Sequence, residues 1–318
     1  MQNKSIANLP IAVSPFIYGT ATSKMMAGEN ADEILDAAFE AGITTFDTAR
    51  LYGKAESVLG DWVRRRNLRG KVNILTKGCH PDNDKPRVSP QVIREELEIS
   101  LKQLQTDYVD IYLLHRDDPN VEVGPIVECL NQLKEEGKIK VFGGSNWTPQ
   151  RLSQANEYAL SHGLQPFSIS SPSFSLVEMV RDPWGGSVWL SGPSRAADRE
   201  WYVNNQMPVF AYSSLARGFL SGRYRTDSGM DIEQCLSWAP IQEYGCPENI
   251  ERLRRAEHLA DEKGVSVPTV ALAWALKQPL NLFCILRPSS PSHLDSLLRA
   301  FEVELTDHEA DWLNLCDE

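Results

Sequence analysis

Short, nearly unbroken apolar runs alternate along the chain with longer stretches whose apolar residues recur at helical spacing. The runs are Phe16–Thr20, Ile43–Asp47, Val72–Lys77, Val109–His115, Lys140–Ser145, Phe167–Ser171, Pro208–Ser213 and Leu282–Leu286. Runs without polar alternation are what strands buried on both faces produce, as in a parallel sheet covered by helices. Between the runs, a helical period is predicted over Ala31–Ala41, Glu56–Arg66, Ser89–Leu104, Pro125–Glu136 and Thr148–Ser161. It returns over Asn249–Lys263 and Pro268–Leu276, and again over Pro291–Phe301 and Thr306–Leu315. Ser89-Pro90 and Thr148-Pro149 pair a capping hydroxyl with a first-turn proline, and Gly137 is a helix stop.

Eight strand–helix repeats with no break in composition predict an α/β fold. The architecture expected is a single (β/α)8 TIM barrel, parallel and eight-stranded, forming one domain over residues 1–318. An open doubly wound sheet is the alternative, but no GxGxxG fingerprint follows the first run. Two connections, Ser175–Gln206 after the sixth strand and Ser214–Pro247 after the seventh, are too long for simple turns. In a barrel both lie on the C-terminal face, where active sites form.

Composition narrows the function classes. Hydrophobic residues are 42% and charged residues 24% of the 318, ordinary globular usage. The net charge of −11 argues against nucleic acid and against an acidic membrane surface as partners. A phosphorylated ligand would then need positive charge concentrated locally. The six cysteines form no CxxC pair and read as reduced thiols. Met1–Pro15 lacks the order of a signal peptide, and no apolar run approaches the ~20 residues of a membrane span. The expected setting is cytoplasmic. No heptad or apolar surface stripe speaks to oligomeric state.

Four polar residues end or follow consecutive strands: Asp47 and Tyr52 after the second, Lys77 on the third, His115 on the fourth. Each alone has an ordinary reading, as helix cap, surface charge or satisfied side chain. Together they occupy the functional face of neighbouring strands, and a lysine ending an apolar run needs a counter-charge, for which Asp47 is the candidate. The chemistry open to such a set is proton delivery to a carbonyl. Tyrosine, with an ordinary pKa of about 10, is a poor acid near neutrality, and a nearby ammonium makes it a better one. A hydride would have to come from a cofactor.

The stretch Gly42-Ile43-Thr44-Thr45-Phe46-Asp47-Thr48-Ala49-Arg50-Leu51-Tyr52-Gly53, followed by Glu56 and Gly60, resembles the first signature of the aldo-keto reductase superfamily. Ile74–Lys77, Tyr112–His115, Gly143-Gly144-Ser145-Asn146 and Ala211–Gly218 resemble its later motifs, and the likeness runs from about Ile11 to the C-terminus. It implies Tyr52 as general acid, Lys77 and Asp47 as its tuning pair, and His115 as the group orienting the carbonyl. It implies that Ser145 and Asn146 hold the nicotinamide carboxamide and that Tyr212 stacks on the ring. Gly19, Thr20, Ala21 and Asp47 would lie beside the cofactor. Ser213, Leu215, Arg217 and Gly218 would wrap its pyrophosphate.

The chain departs from the family pattern at the adenosine end, which reads Leu286-Arg287-Pro288-Ser289-Ser290-Pro291-Ser292-His293. Arg287 and His293 fall on the usual phosphate-contacting positions, with Ser289 between them, so NADP(H) is favoured and NAD(H) remains possible. Ser171 stands where the family offers a glutamine to the carboxamide. Trp184 and Trp189 either wall the substrate pocket or anchor their loop. His80, His162, His258 and His308 have no ligand-spaced partners, so no metal is expected. Arg64-Arg65-Arg66 reads as the solvated end of a helix. The expected function is reduction of a small aldehyde or ketone, or oxidation of the corresponding alcohol or sugar. Two alternatives stand beside it: a cofactor-binding redox-sensing subunit with little turnover, and a metal-dependent barrel hydrolase or isomerase using Asp47 and His115.

Overall fold

The computed structural model describes residues 1–82 and 87–316. The order is β1 (Phe16–Gly19), α1 (Ser23–Ala27), α2 (Asp32–Glu40), β2 (Thr45–Asp47), α3 (Ala55–Arg65), β3 (Asn73–Gly78), α4 (Pro90–Leu104) and β4 (Val109–Leu114). It continues with α5 (Val123–Glu135), β5 (Ile139–Ser145), α6 (Pro149–Ser161), β6 (Ile169–Ser171), α7 (Ala196–Asn205) and β7 (Val209–Ala211). The last part is α8 (Ile232–Cys235), α9 (Trp238–Tyr244), α10 (Pro247–Lys263), α11 (Val267–Lys277), β8 (Leu282–Leu286), α12 (Pro291–Leu298) and α13 (Asp307–Leu313). The eight strands are parallel and close in chain order, with β1 bonded to both β2 and β8. This is the (β/α)8 TIM barrel that the repeat pattern predicts.

Two apolar layers hold it. Residues such as Ile17, Leu75, Ile111, Leu113, Val141 and Phe283 fill the barrel interior. The N-terminal segment, pinned by the antiparallel Lys4–Val13 bridge, adds Ile6 and Val13 to that inner core. The strands' other faces meet the helices in a larger cluster that includes Phe16, Phe46, Trp62, Tyr112 and Phe142. Because successive side chains on a strand alternate faces, inner positions recur every second residue. From Ile17, Leu75, Leu113, Ile169, Phe210 and Ile285 inside, the next inner positions are Gly19, Lys77, His115, Ser171, Tyr212 and Arg287. The candidate residues are thus the top layer of the barrel, where the apolar filling ends.

The helix starts follow their capping chemistry. Ser89 accepts a hydrogen bond from Val92 N, Thr148 from Arg151 N and Ser290 from His293 N, each with proline at the start of the helix. Thr306 and Glu309 form a reciprocal capping box.

Three expectations need correction. Ser175–Gln206 is not all loop, for it ends in α7, where Trp201, Tyr202 and Val203 are consecutive and give no helical period. The helix α1 was not expected; five residues are too few for a pattern, and Thr22 starts it by accepting from Met25 N. The connection after β7 carries the short helices α8 and α9. Arg65 and Arg66 are exposed, as read, and are also ion-paired to Asp32 and Asp36 of α2. No helix among the described residues is long and apolar enough to cross a membrane.

Candidate active site

The chain leaving β2 stays bonded to β3. Thr48 N donates to Leu75 O at 2.8 Å and Arg50 N to Lys77 O at 2.9 Å. A tight turn follows, with Gly53 at φ +54, where a Cβ would come within 2.7 Å of Met26 O. This turn brings Tyr52 back over β3, with the Lys77 ammonium 5.2 Å from its ring centroid. Lys77 forms an ion pair with Asp47 and donates to Thr48 O at 2.9 Å. Both Lys77 and Asp47 are only 3% exposed, so the pair lies out of water. Burial works against the Lys77 charge. The Asp47 carboxylate, with help from Tyr52, more than offsets it and raises the lysine pKa.

His115 extends the β4 ladder by donating from its backbone N to Gly78 O at 2.7 Å. Its half-buried ring stands edge-on to Tyr52, centroids 5.9 Å apart. A second imidazole, His80, stands edge-on to it at 4.9 Å. His80 arrives there because Cys79 takes a left-handed φ of +62 and its N–H is held by the Glu96 carboxylate at 2.6 Å. His80 Nδ1 lies 3.0 Å from Pro81 O, and a carbonyl can only accept, so this nitrogen carries the proton. Burial, then the charges of Lys77, His80 and Arg116, hold the His115 pKa well below the usual imidazole range. His115 is therefore neutral at physiological pH, and among the described residues its buried Nδ1 has no hydrogen-bond partner.

The far side of the mouth is a closed hydrogen-bond network. Asn146, at φ +59, accepts from Tyr212 Oη at 2.6 Å and from Val188 N at 3.0 Å. It donates to His115 O and to Ser145 Oγ. Ser145 Oγ donates to Ser171 O, and Ser171 Oγ to Phe210 O. Ser145, Asn146, Ser171 and Tyr212 are therefore neighbours, and Ser171 spends its only donor on the barrel itself.

After β7 the backbone turns repeatedly left-handed, at Ser213, Ala216, Arg217 and Gly218. Among the described residues, the amides of Ser214 and Leu215 meet no acceptor. The Arg217 side chain does not point back toward them. It pairs with Glu243 at 2.7 Å and lies over the Trp184 ring at 4.3 Å. Trp184 is 51% exposed and edge-on to Trp238, so it braces the two long connections against each other. Trp189 is bridged to Ser173 and covered by Arg195, which anchors its loop.

Arg287 Nη1 donates to Ala21 O at 2.7 Å, and Gly19 leaves room for its stem, since a Cβ there would lie 3.1 Å from Arg287 Cγ. Thr20 N is bonded to Asp47 O, while the buried hydroxyls of Thr20 and Thr48 have no partner among the described residues. Ser289 faces His293 Nδ1 at 3.3 Å, and burial lowers the His293 pKa. Among the described residues no group of three or more His, Cys, Asp or Glu is placed to hold a metal ion.

Sequence reasoning set His80 aside and did not consider Arg116. The signal that could have found them is position: each stands at or just past a strand end on the same face as Lys77 and His115. The assembled mouth holds a buried cation, a neutral imidazole and a phenol. Such a set can bind, orient and protonate an oxygen atom.

The profile of the aldo/keto reductase family matches residues 15–318. The chain is 27% identical to aldo-keto reductase str7 of Strobilurus tenacellus over 285 residues, covering 87% of this chain and 78% of that protein. It is 28% identical to aryl-alcohol dehydrogenase GME11368 of Pestalotiopsis microspora, covering 87% of this chain and 70% of that one. It is also 28% identical to aldo-keto reductase YhdN of Bacillus subtilis, covering 93% and 88%.

Proposed function

The chain belongs to the aldo/keto reductase family, and from that premise we propose that it is an NADP(H)-dependent oxidoreductase reducing an aldehyde or ketone, with Tyr52 as proton donor. The observation that carries this reading is Lys77, a buried cation kept charged by Asp47 beside the Tyr52 ring.

The residues present fit a nicotinamide dinucleotide. The free amides of Ser214 and Leu215 on a left-handed turn are donors of the kind a pyrophosphate takes. Among the described residues Arg287 forms no close ion pair, and it would grip a 2′-phosphate with its planar fork. Ser289 lies beside it, and a neutral His293 would add little charge. Ser145 and Asn146 would hold the carboxamide, Asn146 by giving up one of its present bonds, with Tyr212 against the ring. Gly19, Thr20 and Ala21 would flank it, leaving the orphaned Thr20 and Thr48 hydroxyls to find partners. Ser213 and Gly218 would shape the phosphate turn. Arg217 would act as its brace through Glu243.

A bound dihydronicotinamide would supply the hydride. His115, being neutral, would donate an N–H to the substrate oxygen and orient it. Tyr52 would pass its hydroxyl proton to that oxygen as negative charge builds there. The Lys77 ammonium would stabilise the phenolate left behind, and Asp47 would hold that ammonium in place. Trp184 would form the outer wall of the substrate space.

Purified protein is mixed with NADPH or NADH and with a panel of aldehydes that includes aromatic ones, a choice prompted by the aryl-alcohol dehydrogenase relative. Aldehyde-dependent loss of cofactor absorbance is the expected result, and failure to bind either cofactor would end the proposal. The variant Arg287→Ala should weaken NADPH by roughly tenfold or more, the loss of a charge-assisted contact. NADH should weaken much less, and equal losses would mean that the 2′-phosphate is read elsewhere.

A further inference from the structure

Two cations face the His115 imidazole, Lys77 and Arg116. Lys77 is neutralised by Asp47. Arg116 has no such ion pair among the described residues. The two acids that follow it in sequence are turned elsewhere. Asp117 is held by Arg151 at 2.8 Å, and Asp118 accepts from Asn120. Arg217, across the mouth, is paired with Glu243.

Arg116 is placed by several elements. Its carbonyl accepts from Trp147 Nε1 at 3.3 Å. Gly186, at φ +69 in the connection after β6, passes over its stem, and a Cβ on that glycine would lie 4.0 Å from Arg116 Cδ. The Arg116 charge acts on both imidazoles, lowering the pKa of His80 and His115, and it opposes the effect of burial on the Tyr212 phenol. Tyr212 follows β7 and Arg116 follows β4, so the charge reaches across the mouth, above the top layer of the barrel. A half-buried cation without a counter-charge is costly, and an anion brought by a ligand relieves that cost. That anion is not the cofactor's. The donors suited to phosphate lie at β7 and β8, and β4 stands opposite β8 in the closed ring.

We propose that Arg116 is a specificity-determining residue that receives a carboxylate carried by the carbonyl substrate, so that acidic aldehydes or ketones are selected over neutral ones. The inference rests on the reductase reading of the site and narrows its substrate class. On a protein of net charge −11, the Arg116 charge at the mouth also focuses the field that draws such a substrate in.

The test compares 4-carboxybenzaldehyde with 4-methylbenzaldehyde, which share a ring and differ in charge. The wild-type protein should favour the acid by roughly tenfold or more in kcat/KM, the range of a charge-assisted contact. That advantage should shrink with added salt. In Arg116→Gln the acid-to-neutral ratio should fall toward one, mainly through KM for the acid, and Arg116→Lys should recover part of it. Benzoate should inhibit the wild-type protein competitively with the aldehyde, which keeps the question answerable if Arg116→Gln does not fold. A wild-type ratio near one, or equal losses on both aldehydes in Arg116→Gln, would overturn the assignment. So would an NADPH affinity that falls as far as the affinity for the acid. If neither aldehyde is turned over with NADPH or NADH, the reductase reading itself is wrong. Turnover of the methyl compound without charge preference leaves that reading intact and removes only Arg116.

Discussion

His115 refuses a proton that the unfolded chain would take. Its folded pKa lies well below the ordinary imidazole value near 6.5. Between those two values the unfolded state binds the proton and the folded state does not. The contribution of this residue is therefore fully present above about pH 6.5 and is lost as pH falls. His80 and His293 act in the same direction. The buried carboxyls of Glu56 and Glu243, raised by burial, act in the opposite one. The difference between the wild-type protein and His115→Asn isolates one residue from this sum. The urea midpoint of the wild-type protein should fall more steeply between pH 7 and about pH 5 than that of the variant. Parallel curves would mean that His115 is protonated in the folded state. At this scale the sequence was most informative where a residue ends a strand. Asp47, Lys77 and His115 are legible because an apolar run stops on or beside each. His80 and Arg116 were missed because a left-handed Cys79 sets the position of His80 and the connection after β6 passes beside Arg116, and neither feature leaves a periodic trace.

Helices α3 and α4 touch through Gly60, where a Cβ would overlap the Leu104 carbonyl oxygen. The residue belongs to the first motif that the sequence shares with its family, yet its reason is packing. Backbone cannot yield as a flexible side chain can, so Gly60→Ala should force the helices apart at a cost of about 1–3 kcal/mol. Gly70 is the control, because nothing lies within 4 Å of a Cβ there and its φ is ordinary. Gly70→Ala should stay within about 0.5 kcal/mol. A urea midpoint that moves equally for both variants would contradict the close contact. Element boundaries were legible wherever a cap or a proline marks them, as at Ser89-Pro90 and Thr148-Pro149. The helix α7 escaped because its apolar residues are contiguous and only Tyr202 is buried, tied through its hydroxyl to Ser170. Arg217 was expected only as part of the loop that would wrap the pyrophosphate, with no role given to its side chain. That side chain joins Glu243 and Trp184, a cross-loop contact that no spacing rule anticipates.

Closure of the ring gives the site its meaning. Separate strands carry Asp47, Lys77 and His115, and only a closed parallel barrel puts their last inward positions in one layer. That architecture was legible because eight apolar runs recur with helices between them, a pattern that an open sheet would also allow but that the missing glycine fingerprint disfavours. What fills the mouth was not legible, since it depends on how the connections after β6 and β7 fold over it. The central claim is that the barrel assembles Tyr52, Lys77, Asp47 and His115 into one proton-delivering unit. Steady-state reduction of 4-methylbenzaldehyde by Tyr52→Phe, with NADPH affinity measured on the same sample, tests it most directly. The account predicts that kcat falls by on the order of 10²–10⁴, the worth of a positioned proton donor, while NADPH affinity stays within about twofold. A Tyr52→Phe protein that reduces the aldehyde at the wild-type rate would contradict it.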